Sequence, residues 1–88
     1  MKYATDYVAT TYAASTTAGT AKAANPNRRV LLLYNQSADT DVRINFAAST
    51  GSFITIPPGE GIKFDFPPLN LIHAWTASGT ANLTVVEG

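Results

Sequence analysis

Arg29-Val30-Leu31-Leu32-Leu33-Tyr34, the polar stretch Asn35 to Thr40, and Asp41-Val42-Arg43-Ile44-Asn45-Phe46 decide the fold of this chain. The first is a continuous apolar run, suited to a strand buried on both faces. The second is rich in Asn, Ser and Asp, residues that favour turns. In the third, Val42, Ile44 and Phe46 alternate with Asp41, Arg43 and Asn45, the period of two that turns one face of a strand inward.

Working outward, the same pattern recurs. Ala47 to Ser52 is a small-residue loop around Gly51, and Phe53 to Ile56 is a short strand stopped by Pro57-Pro58-Gly59. Ile62, Phe64 and Phe66 alternate with Lys63 and Asp65, until Pro67-Pro68 ends the ladder because proline has no N–H to donate. Leu69 to Thr76 and Thr80 to Glu87 form two more strands across the turn Ala77-Ser78-Gly79. Nothing from Asn25 onward reads as helix. The expected fold is all-β: an antiparallel β-sandwich or partly closed barrel of about six or seven short strands, at the roughly 8–12-residue spacing of such folds. Its expected core is Leu31, Leu33, Val42, Ile44, Phe46, Ile54, Ile56, Ile62, Phe64, Phe66, Ile72, Leu83 and Val85.

Upstream of Asn25-Pro26-Asn27 the composition changes to Ala and Thr, with Tyr3, Tyr7, Val8, Tyr12 and the lysines as the large side chains. Threonines weaken any helix here and favour extended chain. We read residues 1–13 as an extended N-terminal arm with little order of its own and 14–88 as the sandwich domain, whose first strand lies in 14–24.

With 88 residues the chain is one domain with a thin core, and without a single cysteine it has neither disulfide nor thiolate metal site. One histidine rules out a His-rich zinc site within the chain. A small unstapled fold often gains stability by oligomerising or docking on something larger. Six basic and six acidic residues cancel, and only 14% of residues are charged, against roughly 25% in an average domain. That balance speaks against nucleic-acid binding, which needs a basic face, and against a polybasic membrane role. Met1-Lys2-Tyr3-Ala4-Thr5-Asp6 holds no signal-length apolar run, and no stretch approaches a membrane span. We therefore expect a protein made and kept in a cytosol, or released by lysis rather than by secretion.

Candidate chemistry is sparse. His73 stands mid-strand beside Trp75 with no Ser or Asp in a recognisable motif, so a plain outward strand position outweighs a catalytic base. Asp39-Thr40-Asp41 has D-x-D spacing but lacks the further oxygen ligands of a calcium loop. Glu60 and Asp65 have no partner carboxylate in view, and Gly59-Glu60-Gly61 follows two prolines and opens a strand, so it cradles no phosphate. We expect no catalytic residue, no cofactor and no metal. Trp75 and Tyr34 could form a sugar-stacking platform, although a lone tryptophan is more often core. Of Arg28 and Arg29, the plainer reading sends one to solvent and pairs the other with a carboxylate at a strand edge; the functional reading has them meet an acidic partner. Tyr3, Tyr7 and Tyr12 have no core to fill within an arm, and Tyr is a favoured interface anchor. Tyr3, Tyr7, Tyr12, Arg28 and Arg29 are the candidate protein-interface residues.

The segment Asn25-Pro26-Asn27-Arg28-Arg29-Val30-Leu31-Leu32-Leu33-Tyr34-Asn35-Gln36-Ser37 resembles small β-sandwich proteins encoded among the structural genes of tailed bacteriophages. Their pattern joins an N-P-x-R-x-x-L-x-x-x-N segment to a short D-V strand, a P-G turn and a last strand ending in Val-Val-Glu. Asn25, Pro26, Arg28 or Arg29, Leu32, Asn35, Asp41-Val42, Pro58-Gly59 and Val85-Val86-Glu87 carry the match, over roughly residues 15–88. The resemblance implies a capsid decoration (cement) protein on the virion, made in the bacterial host cytoplasm. Its implied partners are the major capsid protein or other virion proteins and further copies of itself, as a dimer or trimer. It equally implies a related head or tail fibre attachment module; Trp75 and the β-sandwich motivate the alternative of a carbohydrate- or receptor-binding module on a tail spike or fibre.

Overall fold

The structure is a computed structural model that describes residues 7–88. Eight strands succeed one another: β1 Val8–Ala14, β2 Gly19–Lys22, β3 Leu31–Asn35, β4 Val42–Asn45, β5 Ile54–Ile56, β6 Gly61–Phe64, β7 Ile72–Trp75 and β8 Ala81–Glu87. They form two four-stranded antiparallel sheets, ordered β1-β8-β3-β6 and β2-β7-β4-β5, packed as a sandwich. The all-β expectation holds, with no helix among the described residues.

Alternation decides which side chains meet between the sheets. Leu31 and Leu33 of β3, Leu83 and Val85 of β8, Val42 and Ile44 of β4, Ile56 of β5 and Ile72 of β7 are all fully buried. Ala14, Ala74 and Ala81 fill the narrow places between them. Phe46, Ile62 and Phe64 lie half-buried against this core, and the Phe46 and Phe64 rings meet edge to face at 5.6 Å, tying the end of β4 to β6.

Two expected core positions are corrected. Phe66 is 96% exposed. The ladder of β6 stops at Phe64, and with Pro67 next the chain has left the pleat that would aim Phe66 inward. Ile54 stands opposite Ile44 on the inner side, yet it opens the short edge strand β5 and is 44% exposed.

The expected boundary between arm and domain is corrected as well. Residues 8–13 are not an arm: they form most of β1, in unbroken antiparallel register with β8 from Val8↔Glu87 to Ala14↔Ala81. The edge of β8 satisfies their backbone groups, so small residues need no core of their own to be ordered. The strand expected in 14–24 splits at a turn over 15–18, where the Ser15 carbonyl accepts the Thr76 N–H at 2.9 Å. Residues 1–6 of the expected arm lie outside the described residues.

Candidate functional site

Each strand runs opposite to the one before it, so the connections fall at two ends of the sandwich. One end collects residues 15–18, 36–41, 57–60 and 76–80; the other collects 23–30, 46–53 and 65–71, with the start of β1 and Gly88. These two ends differ sharply in chemistry.

The first end is polar. Its four connections contain Asp39, Asp41 and Glu60, no Lys or Arg, and no apolar side chain larger than proline. Asn35 organises it from within. This fully buried side chain donates from Nδ2 to the carbonyls of Thr40 at 2.7 Å and Ile56 at 2.9 Å, and its Oδ1 accepts the Ser37 N–H at 2.9 Å. Its backbone N–H donates to Glu60 O and its carbonyl accepts the Gly59 N–H. The D-x-D pair sits here in a solvated turn, where Asp39 accepts from the Ser37 and Thr40 hydroxyls. Gly59 has a φ of 72°, the left-handed conformation its turn requires.

The second end is apolar. Of the seven large apolar side chains that are exposed, six gather there: Tyr7, Val8, Phe53, Ile54, Phe66 and Leu69. The exception is Tyr34, on the outer face of β3, whose ring lies against Gly61. A shallow groove lined by Ile44, Asn45, Phe46, Ser52, Phe53 and Ile54 opens at this end. The six are spread across this end, Tyr7 and Val8 at the β1 edge, Phe53 and Ile54 at the β5 edge, and Phe66 and Leu69 in the loop 65–71. So many exposed apolar side chains at one end make it the candidate interaction surface.

Arg28 holds this end together. It is 3% exposed and spends its guanidinium on four internal acceptors. Nε donates to Glu87 Oε2 at 2.7 Å; Nη1 donates to the carbonyls of Pro68 at 2.5 Å and Asn70 at 2.8 Å; Nη2 donates to Ala23 O at 3.0 Å. One side chain thus clamps residues 23, 68 and 70 to the last strand, and so fixes the loop that presents Phe66 and Leu69.

The candidate interface residues therefore separate. Arg28 is corrected from a surface contact to an internal clamp, because its planar fork matches acceptors that two loops and the last strand bring together. Arg29 is exposed beside it, with its backbone N–H on Gly88 O at 2.7 Å. Tyr7 is 57% exposed at the start of β1. Tyr12 is half-buried, turned inward opposite Leu83, and its hydroxyl reaches across to Gly19 of the other sheet. It is a packing residue, and its role as an interface anchor is withdrawn. Tyr3 lies outside the described residues. Phe66, Leu69, Phe53 and Ile54 were missed as surface residues. Ile54 and Phe66 read as core by alternation, Phe53 and Leu69 only as strand residues, and the prolines around Phe66 were the signal that its strand had ended.

The aromatics of the expected sugar platform lie apart. Trp75 pairs with Arg43 on the outer face of the second sheet, while Tyr34 is on the outer face of the first. Trp75 is only 5% exposed: Phe53 meets it edge to face at 5.7 Å, His73 tilts against it at 5.9 Å, and Arg43 lies 4.4 Å over the Phe53 ring. The indole is thus consumed in a surface aromatic cluster and offers no stacking face. His73 projects from this same face, as an outward strand residue, with its Nδ1 buried and unpartnered. Among the described residues no three His, Asp or Glu side chains cluster at metal-binding distance, and no helix is long and apolar enough to cross a membrane.

Fold and surface together define a small β-sandwich with an apolar end and an acidic, polar end. Comparison of the chain with protein-family models, curated proteins and solved structures finds no match.

Proposed function

We propose that the chain is a non-enzymatic virion structural protein, a capsid decoration protein that docks on the assembled phage head by its apolar end. The observation that carries this reading is the gathering of Phe66, Leu69, Phe53, Ile54, Tyr7 and Val8 at one end of a stiff sandwich, with exposed Arg29 beside them. Phe66 alone leaves almost a whole ring in water, and such aromatic anchors carry most of the energy of an interface. The resemblance of the Asn25–Ser37 segment to tailed-phage structural proteins points the surface at a virion. A protein that binds the assembled head and not the free subunits stabilises the head by mass action, and many copies on a lattice add through avidity. The major capsid protein is the proposed partner, and the virion surface the proposed location. A sugar-binding role has weaker support, because the indole it needs is covered.

The test is sedimentation of the protein with phage heads. The unaltered chain is expected to co-sediment and to raise the temperature at which heads release DNA. Phe66→Ser with Leu69→Ser is expected to weaken binding at least tenfold, about 1.4 kcal/mol, at an unchanged unfolding midpoint. Binding unchanged in that variant overturns the docking surface; absence of binding by the unaltered chain overturns the head as partner.

A further inference from the structure

We propose that β1 is a self-pairing edge: two copies of the chain join β1 to β1 antiparallel about a two-fold axis, making one eight-stranded sheet from two four-stranded ones. This deepens the reading above, in which many copies sit on one head, by naming a surface between copies; of the apolar end that meets the head it takes up only Val8.

A sandwich of two open sheets has four edge strands, each a row of backbone groups ready to pair with another chain. Three of the four carry the usual protections. β6 is four residues long with Lys63 inside it and Pro67 shortly after. β2 is four residues long, ends in Lys22, and its register shifts between Thr20 and Lys22. β5 is three residues long and runs into Pro57-Pro58. β1 has none of these devices. Its seven residues, Val-Ala-Thr-Thr-Tyr-Ala-Ala, contain no charge, proline or glycine, and its ladder with β8 is unbroken. Among the described residues nothing pairs with its other edge.

The strand also fits a copy of itself better than a foreign peptide. Being uncharged, it sets no like charges opposite each other across a two-fold axis. The side chains on its outer face, Ala9, Thr11 and Ala13, are small and exposed, so they leave two backbones free to approach but form no pocket to select a foreign side chain. On the inner face Val8 is 52% exposed. An antiparallel register that keeps both inner faces on one side centres on Thr10 or Thr11. It then sets Val8 of each copy opposite Tyr12 or Ala14 of the other, covering the valine at both ends of the joint. A seven-residue ladder falls below the ~800 Å² per partner of a standard interface. The dimer is accordingly weak in dilute solution, with a dissociation constant in the micromolar range, and becomes populated where copies are crowded on a lattice.

Sedimentation equilibrium of the free protein, without heads, tests this. The mass is expected to rise towards a dimer with concentration. Thr11→Lys, which places a charge on an exposed position at the joint, is expected to weaken the dimer at least tenfold at an unchanged unfolding midpoint. Under mild oxidation Thr10→Cys or Thr11→Cys, whichever lies on the axis, is expected to give a disulfide dimer, while Tyr34→Cys, two strands in from the edge, does not. Phe66→Ser, which leaves β1 untouched, is expected to keep the dimer, which separates the two surfaces. A chain that stays monomeric at all concentrations, a Thr11→Lys variant as dimeric as the parent, or loss of the dimer in Phe66→Ser overturns the assignment. None of these results bears on docking to heads.

Discussion

Arg28→Met is expected to lower the unfolding free energy by about 3–5 kcal/mol, the usual cost of removing one partner from a buried ion pair. The magnitude follows from what the guanidinium leaves behind. The Glu87 carboxylate, whose side chain is 13% exposed, loses its counter-ion, and the carbonyls of Ala23, Pro68 and Asn70 lose their donor. Methionine occupies similar volume, so packing loss is a minor part and the unpaired acceptors the major one. Set against a total stability on the order of 5–10 kcal/mol, this brings the domain close to unfolding at room temperature. Arg28→Lys keeps the charge but lacks the planar fork, and it should fall between the two. Denaturant titration with linear extrapolation checks the series. A loss below about 1 kcal/mol in Arg28→Met contradicts the clamp. In Arg28→Lys, hydrogen exchange should quicken first in residues 65–71, the loop that carries Phe66 and Leu69. Docking would then weaken although no docking side chain has changed.

The second large effect is expected at the opposite end. Asn35→Ala should cost about 3 kcal/mol, because one buried and two part-buried hydrogen bonds go and the groups they satisfied lose their partner. Its amide joins Thr40 O, Ile56 O and the Ser37 N–H, so it holds the β3–β4 turn to the end of β5. Asn35→Asp separates hydrogen bonding from volume. The carboxylate has the same shape and still accepts from Ser37, but at neutral pH it donates to neither carbonyl and sets negative charge against both. Destabilisation at least as large as in Asn35→Ala is the expected result by thermal unfolding. An aspartate variant as stable as the parent would mean that shape alone matters at this position.

Much of this architecture was legible because its signals are local. Val42-Arg43-Ile44-Asn45 states its own burial, since a period of two fixes which side chains share a face. The apolar run read as buried on both faces, whereas β3 buries Leu31 and Leu33 and leaves Tyr34 exposed on its outer face, because no layer covers that side. The same rule misplaced Phe66, where alternation continues two residues past the last backbone pair. It also undervalued Ala14, Ala74, Ala81, Asn35 and Thr76, whose burial depends on what stands opposite them. Of the two arginines, the plainer reading had the right division, one paired with a carboxylate at a strand edge and one in solvent, but it had no means of telling which was which or that the paired one is buried.

By itself, then, the sequence determined an antiparallel all-β domain, most of its core, and a surface poor in charge, since propensity and alternation are properties of neighbouring residues. Tertiary structure alone decided that residues 8–13 are a strand, because their partner, β8, lies some seventy residues away along the chain. It also decided that Arg28 is a clamp, because Glu87 is 59 residues away. The separation of an apolar end from an acidic one was written in the loop compositions throughout. It becomes a surface only once the up-and-down course of eight strands carries the loops at 23–30, 46–53 and 65–71 to the same place.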